Sequence, residues 1–411
     1  MSDRNRALAL LLLAVAIVWH VLAVLAPPKI GGPADNTAGR DFASYHYAVQ
    51  AAAQGSDPYD VAVLDGLAQQ DRTRKTVHPF FYPPPYLLLM TWALPFELED
   101  GFWLWYGANE LALLIAALAL VRWWRALGPE LPISLAACIA LMFGVVYSLQ
   151  MGQVNFIVLA LVIIGLWQDQ QDRSVIGGAL VGLACMLKMS PALFVAWWLL
   201  RRRWLAAAAA CGAALGYTFL ALPLVDAESQ WRFYTEILPK FGSGDYNGLV
   251  IKIDMFGNHS VPNLINQLVP GVDNSLSAAG QALASTASLT LIVGLAWVLR
   301  RAPRDAWALA GQVAAVSCAT LLVPVYTYEH HLVWALPAMA LSATAVWTGR
   351  LPARWSLPVG LALAALCYPL PNLKQLAVTV LADWPTAAWM VQELKFAGLM
   401  TVFLASIRLG R

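Results

Sequence analysis

The sequence predicts an all-α polytopic integral membrane protein, and three observations predict it. Hydrophobic residues make up 60% of the 411 positions, charged residues only 12%, and the mean hydropathy is +0.62. A soluble domain carries about 25% charged residues, so this chain cannot cover itself with a water-facing surface, and lipid must solvate most of it. Apolar runs recur along the whole chain, and Lys and Arg gather at their ends. The same figures exclude disorder, a coiled coil and a disulfide-rich secreted fold. A net charge of +2 leaves no footprint for nucleic acid.

A spanning helix needs about 20 apolar residues. Thirteen segments qualify as candidates: 7–26, 82–96, 102–121, 131–149, 154–167, 174–187, 190–200, 204–224, 281–299, 305–325, 331–347, 355–371 and 389–407. The first is longer than a signal-peptide core and runs into Pro27-Pro28, so it reads as an uncleaved anchor. Basic clusters at Arg4/Arg6, Arg122/Arg125, Arg201–Arg203, Arg300/Arg301/Arg304, Arg350/Arg354 and Arg408/Arg411 abut segment ends. The positive-inside rule places them, and both termini, in the cytoplasm of a multi-pass plasma-membrane protein. Residues 27–81 and 225–280 then form two large outer loops, with a shorter one at 372–388.

Two cytoplasmic termini require an even number of crossings. Segments 82–96, 154–167, 174–187 and 190–200 are short for a full span. One of them is expected to be re-entrant, leaving about 12 transmembrane helices. Non-helical backbone at that depth is tolerated only around a protected cavity. Neither a low-complexity linker nor a visible repeat divides the chain. It reads as a single transmembrane domain over 1–411, and the missing repeat weighs against an inverted-repeat transporter. The five cysteines lie singly in apolar runs, without CxxC or Cys/His clusters, and read as small core residues rather than zinc ligands.

In the first outer loop, Phe42, Tyr45 and Val49 recur at helical spacing, which predicts a short amphipathic helix at the interface. Asp41 stands at its start. The ordinary role of such a residue is a helix N-cap. A carboxylate at the lipid–water boundary can also accept a proton from an incoming hydroxyl, and the two roles are compatible. Gln54-Gly55-Ser56-Asp57-Pro58-Tyr59-Asp60 then makes a turn. His78-Pro79-Phe80-Phe81-Tyr82-Pro83-Pro84-Pro85-Tyr86 leads the chain into the membrane, its prolines preventing a regular helix start.

Lys188 sits between two short apolar segments, far from the basic clusters. At a helix centre a lysine costs about 2.5–3.5 kcal/mol on insertion scales, so it needs a partner or a wet cavity. It either snorkels to the outer surface or serves as counter-ion to a lipid phosphate. Gln150, Gln153 and Asn155 cluster between two segments, where they either satisfy the turn's backbone or hold sugar hydroxyls. Glu329-His330-His331 places three titratable groups at an outer segment start, suited to proton handling or phosphate binding, or simply exposed to water. His46 and His78 are weaker candidates for the same outer cavity.

Several of these motifs, in this order, resemble glycosyltransferase family 87. They are the acidic Asp41 after the first span, the Tyr45 helix, Gly55-x-Asp57-Pro58-Tyr59, and Phe81-Tyr82-Pro83-Pro84. Gly152-Gln153-Val154-Asn155, Lys188-Met189-Ser190-Pro191 with the basic stop Arg201–Arg203, Gly257-Asn258-His259-Ser260 and His330-His331 follow. The resemblance covers roughly residues 40–340, and the order of weak motifs carries it. It implies a GT-C-type fold and transfer of a sugar, most simply mannose, from a polyprenyl-phosphate donor. The acceptor would be a hydroxyl of a glycolipid or glycan on the outer side, with inversion at the anomeric carbon.

In that scheme Asp41 is the general base, and Lys188, His330 and His331 bind the donor phosphate. Tyr45, His46, His78, Tyr82, Gln153, Asn155 and Asn258 contact sugar or acceptor, with Tyr45, Tyr82 and Tyr86 as stacking faces. No cofactor and no metal are expected, and no GxGxxG, Walker or Asp-x-Asp sequence is present. A transporter or flippase for a lipid-linked sugar shares the composition and is the alternative.

Overall fold

The structure is a computed structural model. It describes residues 39–71, 77–271 and 276–411, with isolated helical positions between Ala7 and Leu22. Most of the expected anchor, Arg4/Arg6 and Pro27-Pro28 lie outside the described residues.

Helices occupy each of the later twelve apolar segments. Leu98–Trp123 and Ala278–Leu299 are long and apolar enough to cross a membrane. Three bent pairs each pass that test as one span: Leu131–Leu141 with Phe143–Met151 (58°), Ala353–Cys367 with Leu370–Val380 (95°), and Pro385–Gln392 with Leu394–Leu409 (45°). That makes up to 5 spans by length and composition among the described residues, beside four shorter apolar helices. Segment 82–96 holds only the helix Tyr86–Met90 and a 3-10 turn, Thr91–Ala93. At ~1.5 Å per residue this is far too short for a ~30 Å hydrocarbon core.

The chain divides into two compact units, one of Gly31–Ala116 and Leu149–Ile251, the other of Met1–Ile30, Ala117–Ser148 and Lys252–Arg411.

In the first unit, Ser174–Leu187 packs against both Asn155–Gln170 and Trp204–Leu220. Small residues permit backbone contact. A Cβ on Gly178 would lie 2.4 Å from Ala206 O, one on Gly182 2.4 Å from Ala210 O, and one on Gly177 2.5 Å from Gly165 O. This is the small-residue packing by which helices associate in lipid, where hydrophobicity gives no preference for a neighbour over a tail. Arg203 clamps the same three helices, donating to the buried Asp169 carboxylate at 2.8 Å and to its carbonyl at 2.8 Å. A two-residue hairpin, Asp245–Tyr246 with Leu249–Val250, turns through Asn247 and Gly248, both at positive φ (58° and 87°) as a tight hairpin requires.

In the second unit, Ala306–Leu322 is buried on nearly every side and packs on Leu394–Leu409. A Cβ at Gly311 would meet Gly410 N at 2.4 Å. Lys395, on the latter helix, donates to Glu329 at 2.7 Å, and both side chains are fully buried. Of the cysteines, Cys138, Cys185 and Cys318 are core residues as expected, whereas Cys211 is exposed on Trp204–Leu220.

The helix expected in the first outer loop spans Arg40–Ala53 and departs from expectation in two ways. It is buried around its whole circumference, Ala43, Ser44, His46 and Tyr47 included, rather than along one face. Its cap is Gly39, not Asp41. Gly39 takes φ 69°, donates its N–H to Gln150 O at 2.6 Å, and would strike Phe102 at 2.8 Å if it had a Cβ. A glycine meets both constraints, which moves Asp41 into the first turn and releases its carboxylate for another partner.

Candidate active site

That partner is Gln153. Its Nε2 donates to Asp41 Oδ2 in a short, buried hydrogen bond. Gly152 makes the approach possible. It takes φ 71°, and a Cβ there would lie 2.6 Å from Phe42 Cβ. Its carbonyl accepts from Trp105 Nε1 at 2.8 Å, which fixes the turn. Gln153 Oε1 in turn accepts from Tyr82 OH at 3.4 Å, and Tyr82 accepts from Tyr45 OH at 2.9 Å. A one-way chain therefore runs from Tyr45 through Tyr82 and Gln153 to Asp41. Each donor polarises the next.

The other carboxylate oxygen, Asp41 Oδ1, lies 3.6 Å from His78 Nδ1. The segment bearing His78 is pinned on both sides. Val77 N–H donates to Asp65 at 2.8 Å, and Ser44 Oγ, one turn beyond Asp41, donates to Pro79 O at 3.1 Å.

Lys188 follows the last residue of Ser174–Leu187 in extended conformation and donates its ammonium to Asn155 Oδ1 at 2.7 Å. It lies within electrostatic range of Asp41. Asn155 is fully buried at the first turn of its helix. The Gly-Gln-x-Asn stretch thus orients two charged groups, Asp41 through Gln153 and Lys188 through Asn155.

The tyrosines pack on one another. Tyr45 meets Tyr82 edge-on at 5.0 Å and Tyr86 at 4.7 Å, and all three are buried. Burial, reinforced by Tyr82 and Tyr86, raises the Tyr45 phenol well above its ordinary range. His46 is also enclosed. It pairs with Gln50 at 2.8 Å, and burial pushes its imidazole down to about 4, against a small opposing pull from Asp71.

Two contacts escaped the sequence. Arg232 pairs with Asp57 of the Gly-x-Asp-Pro-Tyr turn. Asn247, at the hairpin tip, donates to both Tyr59 O (2.8 Å) and Phe80 O (3.0 Å). Together they fasten the stretch 232–247 to the two motif-bearing stretches around Asp57-Pro58-Tyr59 and Phe80. The Asn-Gly pair was the available signal for the turn, but not for its target.

Asn258, His330 and His331 belong to the other unit. The Asn258 amide serves the backbone, donating to Ile253 O at 2.9 Å and Val325 O at 3.0 Å and accepting from Thr327 N at 3.0 Å. His330 packs edge-on against His331 with ring centroids 4.1 Å apart, and His331 Nδ1 accepts from Tyr328 N at 3.1 Å. Beside them, His259 Nε2 stands 3.9 Å from Glu329 inside the fully buried Glu329–Lys395 pair.

The model of glycosyltransferase family 87 matches residues 80–324, more than half the chain. The chain is 26% identical over 261 residues to the polyprenol-phosphate-mannose-dependent alpha-(1-2)-phosphatidylinositol mannoside mannosyltransferase of Mycobacterium tuberculosis, covering 60% of this chain and 56% of that protein. To the polyprenol-phosphate-mannose-dependent alpha-(1-2)-phosphatidylinositol pentamannoside mannosyltransferase of Mycolicibacterium smegmatis it is 27% identical over 348 residues, 82% of this chain and 76% of that one. The corresponding pentamannoside enzyme of Mycobacterium tuberculosis is 28% identical over 311 residues, 73% and 66% of the two chains. The chain spans little more than half the length of the first of these relatives. With ordered motifs and a family match over most of its length, this chain belongs to glycosyltransferase family 87.

Proposed function

We propose that the chain transfers mannose from a polyprenyl-phosphate donor to a hydroxyl of a glycolipid or glycan acceptor. The names of the three relatives share the donor and the sugar but differ in the acceptor, so the donor is the better-supported half. The observation that carries the reading onto this chain is the Asp41 carboxylate held by Gln153, with the Lys188 cation in the same unit.

Asp41 accepts the acceptor's proton as its oxygen attacks the anomeric carbon from the face opposite the phosphate, with inversion. The departing polyprenyl phosphate needs charge stabilisation more than protonation, and Lys188 supplies it. A preorganised ammonium makes a metal unnecessary in this scheme. The distribution of Lys and Arg and the series of thirteen apolar segments support a plasma-membrane topology of about twelve crossings, with both termini cytoplasmic and chemistry at the outer face.

The test uses purified protein in nanodiscs containing EDTA, with polyprenyl-phosphate mannose and a lipid extract from the native host, read by mass spectrometry. Mannose transfer by the wild type and its loss in Asp41→Asn is the expected result. Translocation of the donor lipid in liposomes without any transfer product overturns the reading in favour of a flippase.

A further inference from the structure

A base that takes one proton per turnover must pass it on, and the surroundings of Asp41 restrict where it goes. The Asp41 side chain is 11% exposed. Its Oδ2 is held by an amide that leads, among the described residues, to two phenols. Amides and neutral phenols accept no proton near neutral pH, and Lys188 Nζ is engaged as a donor to Asn155 Oδ1. His78 is different. Its Nδ1 stands 3.6 Å from Asp41 Oδ1 and its side chain is 33% exposed. Imidazole exchanges protons readily in this pH range.

The placement is built into the fold. Ser44 on the Asp41 helix holds the carbonyl of Pro79, and Asp65 on the next helix holds the N–H of Val77, so both neighbours of His78 are fixed. Among the described residues, the charged groups near this pair include Asp65, which holds Val77 N–H, and Lys188, at the end of Ser174–Leu187.

We infer that His78 is the proton exit of the site, drawing the proton from Asp41 and releasing it to water after each transfer. The inference rests on Asp41 being the base. The acceptor O–H bond breaks as its oxygen bonds the anomeric carbon. The bond from that carbon to the phosphate oxygen breaks, leaving its electron pair on the phosphate. The proton passes to Asp41 Oδ1, then to His78 Nδ1, and the imidazolium returns a proton to solvent. His78 acts through Asp41, so it sets the protonation state of the base without touching the sugar.

The experiment compares wild type, His78→Gln, His78→Ala and Asp41→Asn in nanodiscs, measuring turnover and donor KM across pH, with and without added imidazole. His78→Gln is expected to lose ~10-fold or more in turnover with donor KM unchanged and an altered pH profile. Imidazole is expected to restore most of the rate of His78→Ala. Wild-type turnover and pH profile in both His78 variants overturn the relay, as does a loss of rate that imidazole cannot restore and that leaves the profile unmoved. An inactive Asp41→Asn beside a fully active His78→Gln defeats the relay alone. A fully active Asp41→Asn defeats the base and the relay together.

Discussion

Gln153 and Asp41, 112 residues apart in the chain, share a buried hydrogen bond in which the amide donates to one carboxylate oxygen. The bond orients the carboxylate. Gln153→Ala removes the orientation and is expected to lower turnover roughly 10- to 100-fold, less than the roughly 10²- to 10⁴-fold that a positioned base itself supplies. Gln153→Glu sets a second carboxylate against Asp41. Like charges raise the pKa of the pair, so the acid limb of the pH–rate profile moves to higher pH, which a profile against wild type checks.

Gly152→Ala is expected to abolish transfer and lower the yield of folded protein. Its φ of 71° is unfavourable for any residue with a side chain, and the new methyl lies 2.6 Å from Phe42 Cβ. Because the contact is with Cβ, trimming Phe42 to Ala in the same protein restores neither. Size-exclusion profiles and transfer rates of the single and double variants decide this.

Lys188→Gln keeps a donor for Asn155 and removes the charge. The proposed phosphate role predicts a donor KM raised roughly 10- to 100-fold, the scale of one charged hydrogen bond, with acceptor KM little changed. Donor titrations at fixed acceptor measure it. A residue that only snorkels leaves both constants alone.

The Glu329–Lys395 pair lies 66 residues apart in sequence and is fully buried. Removing one partner strands a charge, so Glu329→Gln or Lys395→Met alone is expected to cost about 3–5 kcal/mol. The double variant leaves no charge unpaired and recovers most of that loss. Thermal unfolding of all four proteins in one detergent gives the coupling directly.

His46 makes the helix Arg40–Ala53 sensitive to acid. Burial holds its folded pKa at about 4, below the ordinary 6.5. Between those values the unfolded form binds more protons, so stability falls as pH drops from the upper value toward the lower. The full difference is on the order of 3 kcal/mol. His46→Gln is expected to flatten that slope, as melting temperatures across this pH range will show.

The placement of helices was legible because hydrophobic runs are local. Twelve apolar segments carry helices where composition placed them, and the Asn247-Gly248 turn follows from two residue types. Helix length was less legible. Breaks such as the extended Met142 bend a run of uniform hydropathy that shows no interruption in composition. The cap of Arg40–Ala53 was misassigned to Asp41 because cap preference is a local rule. The choice fell to Gly39 through its distant contacts with Gln150 and Phe102.

By itself the sequence determined a membrane protein of many helices, and a set of polar residues too costly to leave in lipid without partners. Only the tertiary structure decided those partners. It joined Gln153 to Asp41, Asn155 to Lys188 and Lys395 to Glu329, and turned the three tyrosines toward one another. The physical reason lies in range. Hydropathy and turn preference act over a few residues. A hydrogen bond between side chains dozens of positions apart exists only once packed helices, with glycine at their closest approaches, have brought the two atoms within about 3 Å.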